Sequence, residues 1–351
     1  MPDSGHQARN LVVVVLAVVA TVALAIGVFS RWGAPPERPE SERRTPSVAP
    51  STQPRGTVIR IAAVGDMNPD ENVDPTSDAG LNAADISAFD PDIFFALGDF
   101  QYPTGGCADL VAYWDELWGP LVAKMYHVAG PVHDWESVTR QMGYQQHTNG
   151  ACPGQTTGPS RLVTELGHPV GPDDFWSSDL GNWHLVGLPS GLWRYDPEAA
   201  RAMTARLDAD LAAASNRDQF SLVAYHDPYF TGTTAGHERA LDLEPWIAVM
   251  DKYDVRLTLS GSQHNYERSC PVLSNDSCTS TTGSGTTAFQ VSTGGTGERE
   301  FIGERPPFTV QRFTGTYGWL ELQLRPNGAF SWQFHAVSGP PNTDAGFRPA
   351  P

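Results

Sequence analysis

The chain has 351 residues, of which 40% are hydrophobic and 10% aromatic, so it can bury a sizeable core and is longer than one small domain. Its formal net charge of −17 argues against nucleic acid or an anionic membrane surface as a partner. Affinity for phosphate backbones comes from clustered Lys and Arg, and the sequence has no run of that kind. A small phosphate substrate stays compatible with this acidity if a metal or another local cation holds it.

The chain begins with a segment suited to a membrane. Leu11 to Phe29 is an unbroken apolar run, long enough to cross a bilayer as a helix. It is either an anchor or a signal peptide; Ala23 to Ala25 offers a cleavage pattern, but the run continues beyond it, which favours an uncleaved anchor. Residues 33–56 are rich in Pro, Ser, Glu and Arg and are expected to be an extended linker. We therefore divide the chain into the anchor or signal peptide (1–32), the linker (33–56), a folded domain (57–340) and a C-terminal tail (341–351).

Four cysteines, Cys107, Cys152, Cys270 and Cys278, follow the linker, and none forms a CxxC. An even count after an export signal suggests two disulfides. Three pairings exist, and we expect Cys107 with Cys152 and Cys270 with Cys278; the alternative is four buried free thiols. The predicted location is the cell membrane, with one span and an extracytoplasmic domain, or secretion if the apolar segment is removed.

From residue 58 onward, β-rich runs alternate with helical patterns. "VIRIAAVGD" and "PDIFFALGD" predict strands, and the segment between them has apolar residues at roughly helical spacing, which gives a βαβ unit. "ADLVAYWDELWGPLVAKM" predicts a helix with one apolar face, formed by Leu110, Trp114, Leu117 and Leu121. "MYHVAG" follows as another strand.

The second half continues the alternation and then changes character. A helix around Pro197 to Ala214 leads to the strands "SLVAYHD" and "VRLTLSG". "FQVSTGG" and "GWLELQLRPNGAFSWQFHAV" predict antiparallel strands, with a Pro-Asn-Gly turn. The stretches 142–171 and 269–285 are rich in Gly, Thr, Ser and Pro and are expected to be loops. The predicted fold class is α/β, built of layers.

Polar side chains stand at or just past the ends of predicted strands: Asp66, Asp99, His133, His226 and His264. Layered α/β sheets place ligands at the carboxyl ends of strands, so these residues could converge. Each alone has an ordinary explanation, because Asp after Gly is a common turn residue and a lone His is usually structural. Carboxylates and imidazoles that converge would bind a first-row transition metal.

Five blocks carry a family resemblance: "VGDMN", "LGDFQY", "AGPVHDWE", "YHDPYF" and "GSQHNYER". They are similar, in order, to the GDxx, GDxxY, GNHE or GNHD, HxPxY or HHPxF, and GHxHxYER blocks of the calcineurin-like metallophosphoesterases, above all the purple acid phosphatase branch. The resemblance runs from about Val58 to Val337. It implies a four-layer β-sandwich of mixed sheets flanked by helices for residues 57–340, and hydrolysis of a small phosphoester.

The resemblance also implies site residues. A first metal site would consist of Asp66, the bridging Asp99, Tyr102 and His264. Tyr102 as a phenolate would favour Fe(III), because anionic oxygens stabilise a trivalent charge. His133 and His237 would lie near the phosphate as hydrogen-bond donors or general acids.

The second metal site departs from the family pattern. Two of its expected ligands, Asp99 and His226, are present. The other two are replaced: Val132 stands at the Asn position, after an inserted Pro131, and Ser262 stands at a His position. Val offers no lone pair, and a Ser hydroxyl is a poor substitute for imidazole. The resemblance therefore implies Zn, Mn or Fe in a weakened second site.

Two residues could compensate for these losses. Asp227 and Asn68 each carry a side-chain oxygen near the relevant blocks, although both could equally be turn residues. Two readings of function remain. One is an extracytoplasmic metal-dependent phosphomonoesterase or phosphodiesterase, similar to acid phosphatases, that uses metal-activated water. The other is a pseudo-phosphatase that keeps the fold, with or without one metal, and acts as a binding or surface module.

Overall fold

The computed structural model describes residues 48–49, 56–135 and 143–351. The apolar run Leu11 to Phe29 and most of the linker 33–56 lie outside the described residues. Within the described ranges, no helix is both long and apolar enough to cross a membrane.

Strands of the described residues assemble into two mixed sheets. They are β1 (Val48–Ala49), β2 (Ile59–Val64), β3 (Ile93–Ala96), β4 (Met125–His127), β5 (Trp176–Leu180), β6 (Trp183–Gly187), β7 (Phe220–Ala224), β8 (Leu257–Ser260), β9 (Tyr266–Val272), β10 (Thr286–Val291), β11 (Thr309–Phe313), β12 (Tyr317–Leu324), β13 (Phe330–Ser338) and β14 (Ala345–Arg348). One sheet has the order β1-β5-β6-β7-β8-β10-β9-β11, and the other β14-β13-β12-β2-β3-β4. β2, β3 and β4 are parallel, as are β6, β7 and β8.

Helices cover the outer faces of the sheets. They are α1 (Asp78–Phe89), α2 (Cys107–Asp109), α3 (Asp115–Trp118), α4 (Gly143–Thr148), α5 (Arg161–Leu166), α6 (Leu192–Tyr195), α7 (Pro197–Ser215) and α8 (Glu244–Lys252). A π-helical turn covers Leu110–Trp114, and 3-10 turns cover Gly119–Lys124 and Leu241–Leu243. α1 contacts β12 and β13, and α7 contacts β7. The predicted layered α/β architecture, with mixed sheets between helices, is confirmed.

The hydrophobic core has two parts, which lie on opposite faces of β7. Leu222 and Ala224 pack in a cluster that includes Leu320 of the other sheet. Val223, between them, belongs to a second cluster with Leu207 of α7 and others beneath the helices. Successive side chains of a strand point to opposite faces, so a strand between two layers is apolar throughout. That is why "SLVA" lacks polar alternation.

The predicted helix between residues 108 and 125 is wrong as a single helix. The chain instead passes through α2, the π-helical turn, α3 and a 3-10 turn before β4. Pro120 has no N–H for a helical hydrogen bond, and the α-helical geometry ends at Trp118. The predicted apolar face is nevertheless buried, with Trp114 fully so.

Three further local predictions were partly wrong. The stretch 142–171 contains α4 and α5; Ser160 starts α5, its hydroxyl accepting a hydrogen bond from Val163 N. The stretch 269–285 begins inside β9. β10, expected to be antiparallel, is antiparallel to β9 but parallel to β8.

The C-terminal segment 341–351 contributes to the second sheet through β14, which pairs with β13. Asp344, just before β14, accepts hydrogen bonds from Tyr266 Oη (2.8 Å), from Arg268 (2.6 and 2.9 Å) and from Trp332 Nε1 (3.2 Å). The "YER" part of the last motif block is thus tied to the end of the chain. This contact fixes the start of β9, directly after His264.

Both predicted disulfides are confirmed: Cys107 pairs with Cys152, and Cys270 pairs with Cys278. The described residues contain no free cysteine. Structural disulfides form in oxidising compartments, so their presence favours a location outside the cytoplasm.

Candidate metal centre

The predicted site residues follow strands of both sheets. Asp66 and Asp99 come after β2 and β3 of one sheet, and His226 and His264 come after β7 and β8 of the other. Asp66 Oδ1 is 3.3 Å from His264 Nε2, and Asp99 Oδ2 is 3.4 Å from His226 Nε2. The carboxyl ends of the strands therefore bring these four side chains together, as the sequence predicts.

The backbone at these strand ends is strained. Asp66, Asp99, Ser262 and His264 have φ of 57°, 53°, 79° and 54°, in the left-handed region that non-glycine residues rarely adopt. Such strain, about 1–3 kcal/mol for each residue, concentrates at functional sites and persists only where the surroundings fix it. Ser262 N donates a 2.9 Å hydrogen bond to Asp66 Oδ2, which links two of these positions.

Tyr102 lies at the meeting point of the first group. Its Oη is 3.0 Å from Asp66 Oδ1, 3.0 Å from Asp99 Oδ2 and 3.2 Å from His264 Nε2. Burial, together with the charges of the two carboxylates, raises the pKa of Tyr102 well above its ordinary value. Without a cation, the phenol therefore keeps its proton at neutral pH and donates to the carboxylates.

Both histidines are oriented by backbone carbonyls. His226 Nδ1 is 2.7 Å from the carbonyl oxygen of Leu97, and His264 Nδ1 is 2.7 Å from that of Gly297. A carbonyl only accepts, so Nδ1 carries the proton in each ring, and Nε2 faces the carboxylates. Metal-binding histidines are held in this way, with the second ring nitrogen fixed by a hydrogen bond.

Asp99 and His226 stabilise each other's charged forms in the centre. Burial opposes ionisation of Asp99, yet the charges of His226 and His133 and the Tyr102 hydroxyl hold the pKa of Asp99 below its usual range. Burial alone would lower the pKa of His226, but Asp99 and Asp66 raise it well above the ordinary value. The His226 ring therefore holds a second proton, because the negative charges of Asp99 and Asp66 favour a positive charge at this position.

The donor set fits a metal ion. Asp66, Asp99 and His226 are buried, and each offers a ligand atom within 4.8 Å of the others. Asp99 Oδ1 is buried and has no hydrogen-bond partner among the described residues. A buried carboxylate oxygen without a partner is costly, and a coordinated cation would remove that cost.

Glycines permit the close approach of these groups. A Cβ at Gly130 would lie 1.8 Å from Asp99 Oδ1, and one at Gly98 would lie 2.4 Å from His226 Nδ1. Gly98 also has a φ of 92°. Any side chain larger than that of glycine at either position would displace Asp99 or His226.

Asp134 is a buried residue of the candidate site that the sequence reasoning missed. Its carboxylate accepts hydrogen bonds from the backbone N–H of Asp99 (2.7 Å), Gly130 (2.8 Å) and Phe100 (3.0 Å). Burial and the nearby charge of Asp99 raise the pKa of Asp134 to about 7. It joins the loop after β3 to the loop after β4 and so positions Asp99; its place directly after His133 in "AGPVHDWE" is the signal that could have found it.

His133 and His237 lie at the edge of the centre. His133 Nδ1 donates to the carbonyl of Pro103 at 2.6 Å, and its Nε2 is 4.0 Å from Asp99 Oδ2. His237 Nδ1 is 3.4 Å from Ser262 Oγ, and its ring centroid is 5.5 Å from that of His264. Burial, with the charges of Arg299 and His264, lowers the pKa of His237 to about 4, so the ring is neutral at neutral pH.

Of the two residues that could compensate in the second site, Asp227 does not join the buried Asp66, Asp99 and His226 group. Asp227 Oδ2 accepts a 2.7 Å hydrogen bond from the Ser190 hydroxyl. Asn68 donates to Gln101 Oε1 at 2.8 Å and accepts from Asn72 through its Oδ1. Both side chains are bound to residues distant in sequence, 37 positions apart for Ser190 and Asp227 and 33 for Asn68 and Gln101.

Comparisons with solved structures identify the fold. Purple acid phosphatase PPD1 from yellow lupin (Lupinus luteus) seeds is similar with a TM-score of 0.60 and 18% identity, over 85% of this chain and 55% of that chain. GAP50, the anchor in the inner membrane complex of Plasmodium, has a TM-score of 0.58 and 14% identity, over 82% of this chain and 88% of that chain. PhoD has a TM-score of 0.56 and 11% identity, over 86% of this chain and 70% of that chain.

At these identities the similarity establishes the fold alone. Two mixed sheets flanked by helices form the four-layer sandwich of the metallophosphoesterases, and the predicted fold class is confirmed in full. The chain spans 55% of the length of the lupin phosphatase. No protein-family model matches the chain, and no curated protein matches it.

Proposed function

We propose that this chain is an extracytoplasmic metal-dependent phosphoesterase, similar to acid phosphatases. The observation that supports this most is the convergence of Asp66 Oδ1, Asp99 Oδ2 and His264 Nε2 within 3.0–3.2 Å of Tyr102 Oη, with His226 on the other side of Asp99. Two carboxylates, a phenol and imidazoles suit Fe at this first site. Zn, Mn or Fe would occupy a weaker second site at Asp99 and His226.

Bound metal ions would make water a stronger nucleophile and neutralise negative charge on the phosphate. The chain itself contributes the fixed positions of these ligands. Asp134 holds the backbone of Asp99, while Leu97 and Gly297 fix the tautomers of His226 and His264. Groups held in advance need no rearrangement during the reaction, which lowers its barrier.

Two histidines would act on the substrate. His133 has its Nδ1 bound to a carbonyl, so its Nε2 is the atom that can donate a proton to the leaving oxygen. His237 is neutral at neutral pH, which favours hydrogen bonding to the phosphate over proton donation. Its contact with Ser262 fixes the ring beside the centre.

A location outside the cytoplasm rests on two features. The disulfides are typical of exported proteins. The apolar run Leu11 to Phe29 provides the export signal. If this run is retained, the domain is held at the cell membrane; if it is cleaved, the protein is secreted.

A pseudo-phosphatase is the second candidate function. Val132 and Ser262 supply weaker or no ligands to the second site. The similar protein GAP50 is an anchor. In this reading the chain keeps the fold and at most the first metal, and serves as a binding or surface module.

Metal analysis combined with hydrolysis distinguishes the two candidates. The full-length protein is loaded with Fe and with Zn or Mn, freed of excess metal, and assayed for ions per chain and for hydrolysis of an aryl phosphate and a bis-aryl phosphate. The proposed hydrolase should retain at least about one ion and turn over one of the two esters. Retained metal without hydrolysis of either ester would instead support the pseudo-phosphatase.

Removal of the Tyr102 hydroxyl should bleach the iron-loaded protein. Phenolate bound to Fe(III) gives a charge-transfer colour, so Tyr102→Phe is expected to lose the visible absorption band. Iron binding must displace the phenol proton, because the pKa of Tyr102 is raised; iron retention should therefore weaken as pH falls. Tyr113→Phe, away from the centre, is the matched control, and a band that survives in Tyr102→Phe would rule the assignment out.

A further inference from the structure

Arg299 is anchored beside the metal centre by two hydrogen bonds. Its backbone N donates to the carbonyl of His264 at 3.0 Å. Its Nη1 donates to the carbonyl of Ala235 at 2.9 Å, two residues before His237. An isolated bridge between Thr234 and Phe301 joins the same two loops. The guanidinium is therefore held at a fixed place on the rim.

The charge of Arg299 is not compensated. Among the described residues it forms no ion pair, and its Nε is buried without a hydrogen-bond partner. The adjacent Glu298 turns away and accepts a 2.8 Å hydrogen bond from the Thr314 hydroxyl. Arg206, Arg256 and Arg312 also have a buried guanidinium nitrogen without a partner among the described residues, so this feature supports a ligand at Arg299 only together with its place beside the centre.

His237 connects this charge to the weakened second site. Arg299 reaches the loop that carries His237, because its Nη1 binds the carbonyl of Ala235 and would lie 3.6 Å from a Cβ at Gly236. His237 in turn contacts Ser262, the residue that replaces a second-site histidine. The Arg299 guanidinium thus contacts the loop of His237, and His237 in turn contacts Ser262, the position at which the family pattern has a ligand.

We propose that Arg299 binds the phosphate group of the substrate and supplies positive charge that the weakened second metal site lacks. This proposal rests on the proposed function. The guanidinium fork matches two oxygens of a phosphate, and among the described residues the hydrogen bond of the Arg299 side chain is the one from Nη1 to Ala235. A fixed cation there neutralises charge on the phosphate as a second metal ion would. His237 would add one hydrogen bond from the same rim.

Inorganic phosphate is the probe for this site. Titration calorimetry on the metal-loaded, full-length protein compares wild type with Arg299→Gln and Arg299→Lys. The control is Arg201→Gln, which removes the same charge from an exposed position of α7. Arg299→Gln should weaken phosphate binding about 10- to 100-fold. Arg299→Lys should weaken it less, because it keeps the charge but loses the fork. Arg201→Gln should match wild type.

The outcomes separate this proposal from the proposed function. Unchanged phosphate affinity in Arg299→Gln, or no phosphate binding by wild type, overturns the role of Arg299 even if the protein hydrolyses esters. Phosphate binding that depends on Arg299 in a protein without hydrolysis supports the role while the hydrolase reading fails. A merely structural role would lower the melting temperature and leave phosphate affinity intact. If Arg299→Gln does not fold, Arg299→Lys decides the question.

Discussion

Asp99→Asn should abolish both metal retention and phosphoester hydrolysis. The Asp99 carboxylate has one oxygen 3.0 Å from Tyr102 Oη and 3.4 Å from His226 Nε2, and its other oxygen is buried with no hydrogen-bond partner in the part of the chain that the structure describes. Asn keeps the shape but replaces an anionic oxygen by an NH₂ group that cannot coordinate a cation. We expect the turnover rate to fall on the order of 10³-fold or more.

The controls address folding and charge. Asp208→Asn removes a carboxylate from the surface pair with Lys252 and should leave metal content and turnover unchanged. Near-ultraviolet circular dichroism shows whether Asp99→Asn keeps its tertiary packing. A folded Asp99→Asn variant that retains metal and turnover at wild-type levels would contradict the assignment of Asp99 as a bridging ligand.

The positions of the candidate ligands could be predicted from the sequence because the signals are local. Asp66 and Asp99 each follow Gly at the end of an apolar run, and such runs end at one edge of a layered sheet. His226 and His264 follow strands in the same way. Tyr102 came only from the resemblance of "LGDFQY", since its distance from β3 carries no information about where its hydroxyl lies.

Other parts of the site depend on contacts that no local pattern encodes. The carbonyls of Leu97 and Gly297 orient two imidazoles through backbone geometry, which is independent of residue type. Asp344 reaches Arg268 across 76 residues of sequence, and Arg299 reaches Ala235 across 64. Such long-range contacts follow from the packing of the sheets and loops, so the sequence alone could not predict them.

The proposed second metal site poses the sharpest question about activity. Ser262 Oγ contacts His237, and Ser262 N is bonded to Asp66, so this residue is built into the centre although it lacks an imidazole. Pro131 accepts a 2.7 Å hydrogen bond from the Tyr195 hydroxyl, so the loop that carries Val132 is held in place. Positions 132 and 262 therefore both lie in segments with defined contacts to the rest of the domain.

Restoring both family ligands should increase second-site occupancy and turnover. Val132→Asn and Ser262→His together add two donors to Asp99 and His226, and the double variant should retain about two ions per chain where wild type retains about one. Turnover of an aryl phosphate should rise on the order of 10-fold or more. Each single variant should gain much less, because an ion with three ligands is poorly fixed, so the two effects are not additive.

Two structural costs limit this gain. His at position 262 must adopt a φ near 79°, which costs roughly 1 kcal/mol or more, although His tolerates this region better than most residues. The larger ring also displaces the contact with His237. The measurement is ions per chain and turnover with added Zn or Mn for wild type, both single variants and the double variant. If wild type already holds two ions and matches the double variant in turnover, then Asp227 or another group completes the site, and the pseudo-phosphatase reading is wrong. If the double variant holds two ions but has no turnover, the defect lies outside the metal ligands.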